Sequence, residues 1–214
     1  MGIRAILFTA VIEGIHIWRA ALDEDGWPGP EQLPAAERRR YEAFLREQPA
    51  KRWLAARWAL RRVLGDYLGA EPAAVELEVG EHGKPHLTGK TRLEFNLSHS
   101  EGLALIAVAS RPVGVDVETI RPRRNLRALA ERALPAEDVA ALDAAPPSEQ
   151  TTVFYRAWAR HEAHLKCLGS GLGGAPDTSL VTVEDLDVAP GYAAAVAVAG
   201  AAAGPLRCRS LRAG

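Results

Sequence analysis

Cysteine is scarce in this sequence, and no hydrophobic run is long enough to suggest a membrane segment. The 214 residues contain only two cysteines, Cys167 and Cys208. Two thiols do not suggest a disulfide framework, so a reducing cytoplasm is the expected location. Glu13 interrupts the apolar N-terminus, where no clear cleavage site follows, and the stretch 191–206 is too short and too rich in alanine and glycine to cross a bilayer comfortably. We therefore expect no membrane partner.

An excess of charge of either sign is also missing. Lysine and arginine together number 26 and aspartate and glutamate 27, which gives a net charge of −1. This balance argues against a protein that binds nucleic acid through bulk charge. A basic segment, residues 37–53, keeps nucleic-acid binding open as an alternative, which the neutral chain disfavours. The chain length allows one large domain or two small ones.

Hydrophobic periodicity predicts helices and strands in mixed order, typical of an α+β protein. The helical pattern covers residues 33–68 with a break at Pro49, about 125–142, and 151–168. Strand patterns occur at 4–12, 75–80, 102–109, 113–120, 179–186 and 192–200.

Two fragments of the sequence recur. Residues 62–69 (RVLGDYLG) resemble residues 166–173 (KCLGSGLG), and residues 102–109 are echoed by residues 191–199. Chance among common residues is one interpretation. The other is two similar α+β halves, residues 1–112 and 113–214, with a functional site at their junction.

The segment 158–166 (WARHEAHLK) looks at first like a zinc-protease helix. That motif needs two histidines four residues apart, but Leu165 stands four residues after His161. The spacing therefore excludes this zinc site. Glu162 and Lys166 do share a helical face, and on this segment alone they could be a solvated ion pair worth about 0.2–0.5 kcal/mol.

A second acidic pair points to a different metal. Asp116 and Glu118 are two residues apart in a strand pattern and so share one face. They repel each other unless they are exposed or hold a cation, and Glu162 could supply a third oxygen. Carboxylate-only ligation is typical of Mg²⁺, which with few protein ligands implies a phosphate-bearing substrate. The alternative is an exposed, alternating strand.

Four motifs in order resemble the Sfp-type 4′-phosphopantetheinyl transferases. They are GKP (83–85), FNLSHS (95–100), VGVDVE (113–118) and W-x-x-x-E-A-x-x-K (158–166). The resemblance covers nearly the whole chain. It implies a monomer of two pseudo-symmetric α+β halves that uses coenzyme A as substrate and Mg²⁺ as cofactor, with Mn²⁺ as an alternative metal. Such enzymes attach phosphopantetheine to a serine of an apo acyl or peptidyl carrier protein of fatty acid, polyketide or nonribosomal peptide synthesis, releasing 3′,5′-ADP.

The resemblance also implies roles for individual residues. Asp116, Glu118 and Glu162 would hold the metal, and Asp116, Glu162 and Lys166 would form the catalytic group, with Glu162 as general base directly or through a water. Lys166 would touch the pyrophosphate. The other residues implied at coenzyme A are Arg40, Arg52, Gly83, Lys84, Pro85, Ser98, His99 and His161, with Arg40, Arg52 and His99 near the 3′-phosphate.

His161 marks a departure from the family, which usually has lysine at this position. We expect Glu162 and a bound pyrophosphate to raise the pKa of His161, so that its imidazolium replaces the lysine. The alternative is a neutral side chain packed between helices. His161 also argues weakly for a noncatalytic coenzyme A-binding protein of the same fold, whereas the intact acidic set argues for an enzyme.

Overall fold

The computed structural model describes residues 12–80, 84–89, 91–169, 180–200 and 204–213. These residues form five α-helices and nine strands. The helices are α1 (Ala35–Glu42), α2 (Glu47–Leu68), α3 (Leu126–Ala133), α4 (Ala136–Ala144) and α5 (Gln150–Leu168). The strands are β1 (Ile15–Ala21), β2 (Leu77–Val79), β3 (Pro85–Leu87), β4 (Glu94–Ser100), β5 (Leu103–Ala109), β6 (Val113–Thr119), β7 (Val181–Asp185), β8 (Tyr192–Ala199) and β9 (Leu206–Leu211).

Two sheets of similar design confirm the predicted α+β fold with two related halves. The first sheet has the order β4-β5-β1-β9, and the second has the order β7-β8-β6. In each sheet a central strand pairs antiparallel with two others. β5 pairs with β1 and β4, and β8 pairs with β6 and β7. One long helix packs on each sheet, α2 on the first and α5 on the second. β2 and β3 form a separate hairpin.

One pair of sequence echoes lies at equivalent places in the two halves, because residues 102–109 and 191–199 contain the central strands β5 and β8. The other pair does not, since the residue that matches Gly169 at the end of α5 is Gly65, inside α2. Each of the two helices nevertheless ends at a glycine with left-handed backbone, Gly69 with φ of 63° and Gly169 with φ of 69°. Glycine carries no Cβ penalty there and ends both helices. Residues 170–173 of the second fragment lie outside the described residues.

Two prolines delimit the helices differently from the prediction. Pro49 lies in the first turn of α2 rather than between two helices, because a residue in the first turn needs no intrahelical N–H donor. The helical pattern at 125–142 forms α3 and α4, which separate at Leu134 and Pro135. A residue before proline disfavours the helical conformation. The strand expected at 4–12 lies, except for Ile12, outside the described residues.

The strand β9 was not predicted. Although it lies in the second half of the sequence, it pairs in parallel with β1 at the edge of the first sheet. Ile17 pairs with Cys208, although the two residues are 191 positions apart in the chain. The C-terminal segment thus completes the sheet of the N-terminal half.

The two halves share a core and meet along β4 and β6. Ile17 and Leu105 of the first sheet pack in one cluster with Val115, Val117 and Val196 of the second. Alongside this core, side-chain oxygens of β4 accept backbone N–H groups from β6. None of the helices in the described part of the chain is long and apolar enough to span a membrane.

Candidate active site

A glycine brings α5 against β6. Gly114 is buried, and a Cβ at this position would overlap the backbone carbonyl oxygen of Ala163 and the backbone nitrogen of Cys167. Only glycine therefore allows the helix backbone to approach the strand this closely. The approach places Glu162 and Lys166 of α5 beside the acidic residues of β6.

Asp116 is the centre of this junction. Its side chain is only 4% exposed, and its Oδ1 accepts hydrogen bonds from Lys166 Nζ at 2.5 Å and from Ser98 Oγ at 2.9 Å. Its Oδ2 is buried and has no hydrogen-bond partner among the described residues. A buried carboxylate oxygen without a donor is costly, so this atom marks a position for a further ligand.

Lys166 pairs with a different acid from the one its helical spacing indicates. The spacing places Lys166 one turn after Glu162, but its ammonium group donates to Asp116 and, at 3.1 Å, to Ser98. This contact joins α5 of the second half to both β6 and β4. The exposed-strand interpretation of the acidic pair is therefore wrong for Asp116.

Glu118 and Glu162 lie half-buried near this centre. Burial raises the pKa of both carboxyl groups, and the negative charge of Asp116 raises each further, while Lys166 opposes the rise. Ser100 Oγ donates to Glu118 Oε2 at 3.3 Å. Asp116 thus repels both glutamates, and Lys166 compensates this repulsion only in part.

The acidic residues suit a hard cation by their chemistry, although they are not assembled around one. Within the described ranges, no three histidine, cysteine, aspartate or glutamate side chains converge closely enough to hold a metal ion. The donors are nonetheless all carboxylate oxygens, the ligands that Mg²⁺ prefers. One of them, Asp116 Oδ2, has no hydrogen-bond partner in the part of the chain that the structure describes. The predicted set of Asp116, Glu118 and Glu162 therefore fits Mg²⁺, and the metal itself stays a prediction.

Lys84 and Pro85 lie beside the end of α5. Lys84 Nζ donates to the carbonyl oxygen of Lys166 at 2.9 Å, and burial lowers the pKa of Lys84. Both residues line a cavity of about 250 Å³ with Leu93 and Phe95. Gly83, the remaining residue of the predicted turn, lies outside the described residues.

Ser98 and His99 point in opposite directions from β4. The Ser98 hydroxyl is buried against Asp116, whereas solvent reaches the imidazole of His99. Surrounding protein nevertheless lowers the pKa of His99 by desolvation, and the charges of Lys166 and Arg57 lower it further. His99 therefore lies at the surface of the protein, near the positive charges of Lys166 and Arg57.

The two arginines expected at the 3′-phosphate differ in their surroundings. Arg40 is exposed on α1. Arg52 donates to both carboxylate oxygens of Asp23 at 2.8 Å and also pairs with Glu101. Three of its five N–H donors are therefore occupied by acids. A phosphate at Arg52 would have to compete with two carboxylates.

Arg57 of α2 is a candidate that the sequence did not reveal. Its positive charge reaches His99, and its guanidinium lies over the ring of Trp53 at 5.4 Å. Glu37 lies 3.4 Å from Arg57 Nε but makes its shorter contact, 2.8 Å, to Arg61. One carboxylate shared by two guanidinium groups leaves net positive charge beside His99.

His161 lies on a different side of α5 from Lys166. Desolvation lowers the pKa of His161, and Asp138 of α4, rather than Glu162, is the charge that opposes this shift. The expectation that Glu162 raises the pKa of His161 is therefore wrong, because burial lowers it, and the effect of a pyrophosphate stays a prediction. A role for His161 at coenzyme A stays a prediction.

Comparisons with known proteins agree with this geometry. A sequence model of the 4′-phosphopantetheinyl transferase superfamily matches residues 112–203, and one of the N-terminal part of these transferases matches residues 27–111. The chain belongs to the 4′-phosphopantetheinyl transferase superfamily. The two matched regions adjoin between β5 and β6, next to the β4–β6 contact.

Several curated phosphopantetheinyl transferases are similar to this one. The 4′-phosphopantetheinyl transferase HetI of Nostoc is 35% identical over 77% of this chain and 72% of its own length. A 4′-phosphopantetheinyl transferase of Bacillus subtilis is 30% identical over 72% of this chain and 67% of its own length. AcpT of Escherichia coli O157:H7 is 40% identical over a shorter region, 58% of this chain and 64% of its own length.

The repulsion among the acids of this transferase predicts a pH-dependent gain of stability in a Glu118→Gln variant. Because the folded-state pKa of Glu118 is raised, stability linked to this carboxyl is present at low pH and is lost as pH rises through that pKa. Glutamine does not ionise, so the variant does not lose this stability as pH rises. The thermal midpoint of Glu118→Gln should therefore exceed the native value increasingly from acidic to mildly alkaline pH, measured by thermal denaturation without metal.

The matched control for this experiment is Glu131→Gln, since Glu131 lies on the surface in an ion pair with Arg127. It should show no such gain. A constant difference between Glu118→Gln and the native protein at every pH would contradict the assigned repulsion.

Proposed function

We propose that this enzyme transfers the 4′-phosphopantetheine group of coenzyme A to a serine of an apo acyl or peptidyl carrier protein, as a monomer, with Mg²⁺ and release of 3′,5′-ADP. The observation that carries the proposal is the contact between Lys166 and Asp116. It joins a cation to a group of oxygen ligands at the junction of the two halves. Cations next to acids that can hold a metal suit a pyrophosphate substrate.

The positive residues of the first half would bind the nucleotide end of coenzyme A. His99 lies at the surface near Arg57, and burial and nearby positive charges lower the pKa of its imidazole. A ring N–H of His99 can donate a hydrogen bond to a phosphate oxygen. Lys84 lies at the C-terminal end of α5, where its ammonium group retains donors beyond the one used for the Lys166 carbonyl. These groups would hold coenzyme A with its pyrophosphate towards Lys166.

The acidic residues would serve the transfer itself. Asp116, Glu118 and Glu162 would hold Mg²⁺, which when bound neutralises charge on the pyrophosphate oxygens. The carrier serine Oγ forms a bond to the β-phosphorus, and the bond from that phosphorus to the oxygen of 3′,5′-ADP breaks. Glu162 takes the serine proton directly or through a water. Lys166 stabilises the negative charge of the leaving group.

The test of this proposal is incubation with coenzyme A, Mg²⁺ and apo carrier proteins from fatty acid, polyketide and nonribosomal peptide synthesis. Intact-mass measurement should show at least one carrier gaining one phosphopantetheine, and a chelator should prevent the gain. If the protein binds coenzyme A but modifies none of the carriers, the noncatalytic alternative replaces this function. The carrier that reacts fastest identifies the pathway.

The assignment of His99 predicts a loss of discrimination for the 3′-phosphate. His99→Ala should raise the KM for coenzyme A with little change in kcat, because a contact remote from the reacting phosphorus acts about equally in the ground and transition states. Native protein should prefer coenzyme A to dephospho-coenzyme A, and the variant should prefer it less. Steady-state kinetics with both substrates measures the effect.

His164→Ala is the matched control for that variant, since His164 is a half-buried histidine of α5 that has no part in the proposed site. It should keep the native preference between the two substrates. Undiminished preference in His99→Ala would place the 3′-phosphate elsewhere.

A further inference from the structure

The strand β4 presents two different faces along the junction of the halves. Phe95 and Leu97 pack with the core of the first half. The alternate residues Asn96, Ser98 and Ser100 point to β6, where each accepts a hydrogen bond from its backbone. This alternation follows from the two-residue period of a strand.

The contacts from β4 to β6 keep one register throughout. Each acceptor on β4 pairs with the β6 residue that follows it by 19 positions in the sequence. The donors are Val115 N to Asn96 Oδ1 at 2.9 Å, Val117 N to Ser98 Oγ at 3.4 Å, and Thr119 N to Ser100 Oγ at 3.0 Å. β8 pairs with one edge of β6, and side chains of β4 accept the backbone N–H groups at its other edge. These N–H groups therefore need no second backbone strand as a partner.

The two serines also contact the acidic residues. Ser98 Oγ donates to Asp116 Oδ1 at 2.9 Å, and Ser100 Oγ donates to Glu118 Oε2 at 3.3 Å. A hydroxyl has one donor and two acceptor positions. The backbone N–H uses an acceptor position, which leaves the single proton for the carboxylate. Ser100 Oγ also lies 3.2 Å from Thr119 Oγ1, and the Ser100 proton reaches Glu118 when the Thr119 hydroxyl is the donor of that pair. Each serine therefore binds the carboxylate of one β6 residue and the N–H of the next.

We propose that Ser98 and Ser100 are positioning residues, which orient Asp116 and Glu118 to hold the metal and fix the register of the two halves. This inference rests on the proposed function. It gives the Ser98 hydroxyl a different role from the expected nucleotide contact, because that hydroxyl is buried and engaged by Asp116, Val117 and Lys166. His99, between the two serines, keeps the opposite face of β4 for the nucleotide.

Ser100 offers a cleaner test than Ser98, because among the described residues its hydroxyl does not contact Lys166. Ser100→Ala removes the donor to Glu118, and Ser100→Thr restores a hydroxyl. Ser110→Ala is a matched control, because among the described residues the Ser110 hydroxyl donates only to the Ile12 carbonyl. Mn²⁺ alone is the probe, and its affinity for each ligand-free protein is measured by electron paramagnetic resonance. Thermal midpoints are recorded in parallel.

We expect Ser100→Ala to weaken Mn²⁺ binding by about tenfold or more, the usual effect of losing a residue that orients a metal ligand. Ser100→Thr and Ser110→Ala should bind Mn²⁺ like the native protein. If Ser100→Ala does not fold, Ser100→Cys takes its place, since a thiol is of similar size but a weak donor.

Three results would overturn the inference. Native Mn²⁺ affinity in Ser100→Ala with a lower thermal midpoint would make the serine purely structural. Failure of Ser100→Thr to restore affinity would show that the hydroxyl is not the cause. Absence of Mn²⁺ binding by the native protein would remove the metal site and the inference with it, whereas native binding unchanged by the serine variants leaves the proposed function intact.

Discussion

Asp116→Asn is expected to lower the rate of phosphopantetheine transfer by about a hundredfold or more, the loss typical of removing one preorganised electrostatic group from an active site. Asparagine keeps the shape of the side chain and can still accept from Ser98. It removes the charge that holds Lys166 at 2.5 Å and weakens the site for a cation. The measurement is kcat from intact-mass time courses at saturating coenzyme A and carrier, and excess Mg²⁺ should restore part of the rate.

Asp185→Asn is the matched control, because Asp185 forms an ion pair with Arg160 on the surface of β7. Its rate should equal that of the native enzyme. Native kcat and native metal demand in Asp116→Asn would show that the buried carboxylate is not part of the transfer site.

Gly114→Ala should damage both stability and activity. The added Cβ meets backbone atoms of α5 rather than a flexible side chain, so helix and strand must separate. Overpacking of this kind costs about 1–3 kcal/mol of folding free energy. Separation also moves Glu162 and Lys166 away from Asp116, and a displacement of about 1 Å can lower a rate by about a hundredfold. Thermal denaturation and kcat are measured together.

Gly29→Ala provides the comparison for this variant. The atoms nearest to a Cβ at Gly29 belong to the carboxylate of Glu31, the free end of a flexible side chain that can turn aside. It should change neither the thermal midpoint nor the rate. A Gly114→Ala enzyme with native kcat would show that the close approach of α5 to β6 does not set the geometry of the site.

The sequence pattern was sufficient for the strongly apolar strands β5, β6 and β8, whereas β1, β3, β4 and β9 were not predicted. The alternation at 113–120 placed Asp116 and Glu118 on one face of β6, and in the structure Val115 and Val117 on the other face pack in the core. The repeated fragments indicated the two halves, because central strands of similar sheets need similar apolar patterns. β9 was not recognised because its pairing with β1 depends on contacts between opposite ends of the sequence.

Contacts across the two halves could not be read from spacing. Helical periodicity joined Lys166 to Glu162, but tertiary packing at Gly114 carries its ammonium group to Asp116. Arg57 was overlooked because α2 carries several arginines, and only the fold shows which one lies near His99. The two-residue period of a strand, applied to FNLSHS, would have placed Ser98 and His99 on opposite faces. This signal was present in the sequence but was not used.

The most direct measurement of the central claim follows both products of one reaction. Native enzyme, coenzyme A, Mg²⁺ and an apo carrier protein are mixed, and carrier mass and 3′,5′-ADP are quantified over time, with Asp116→Asn and a chelator as parallel reactions. We predict that each carrier molecule gains one phosphopantetheine for every 3′,5′-ADP released, and that both products are strongly reduced in the parallel reactions. Release of 3′,5′-ADP without gain of carrier mass, or equal yields with Asp116→Asn and with chelator, would contradict the account.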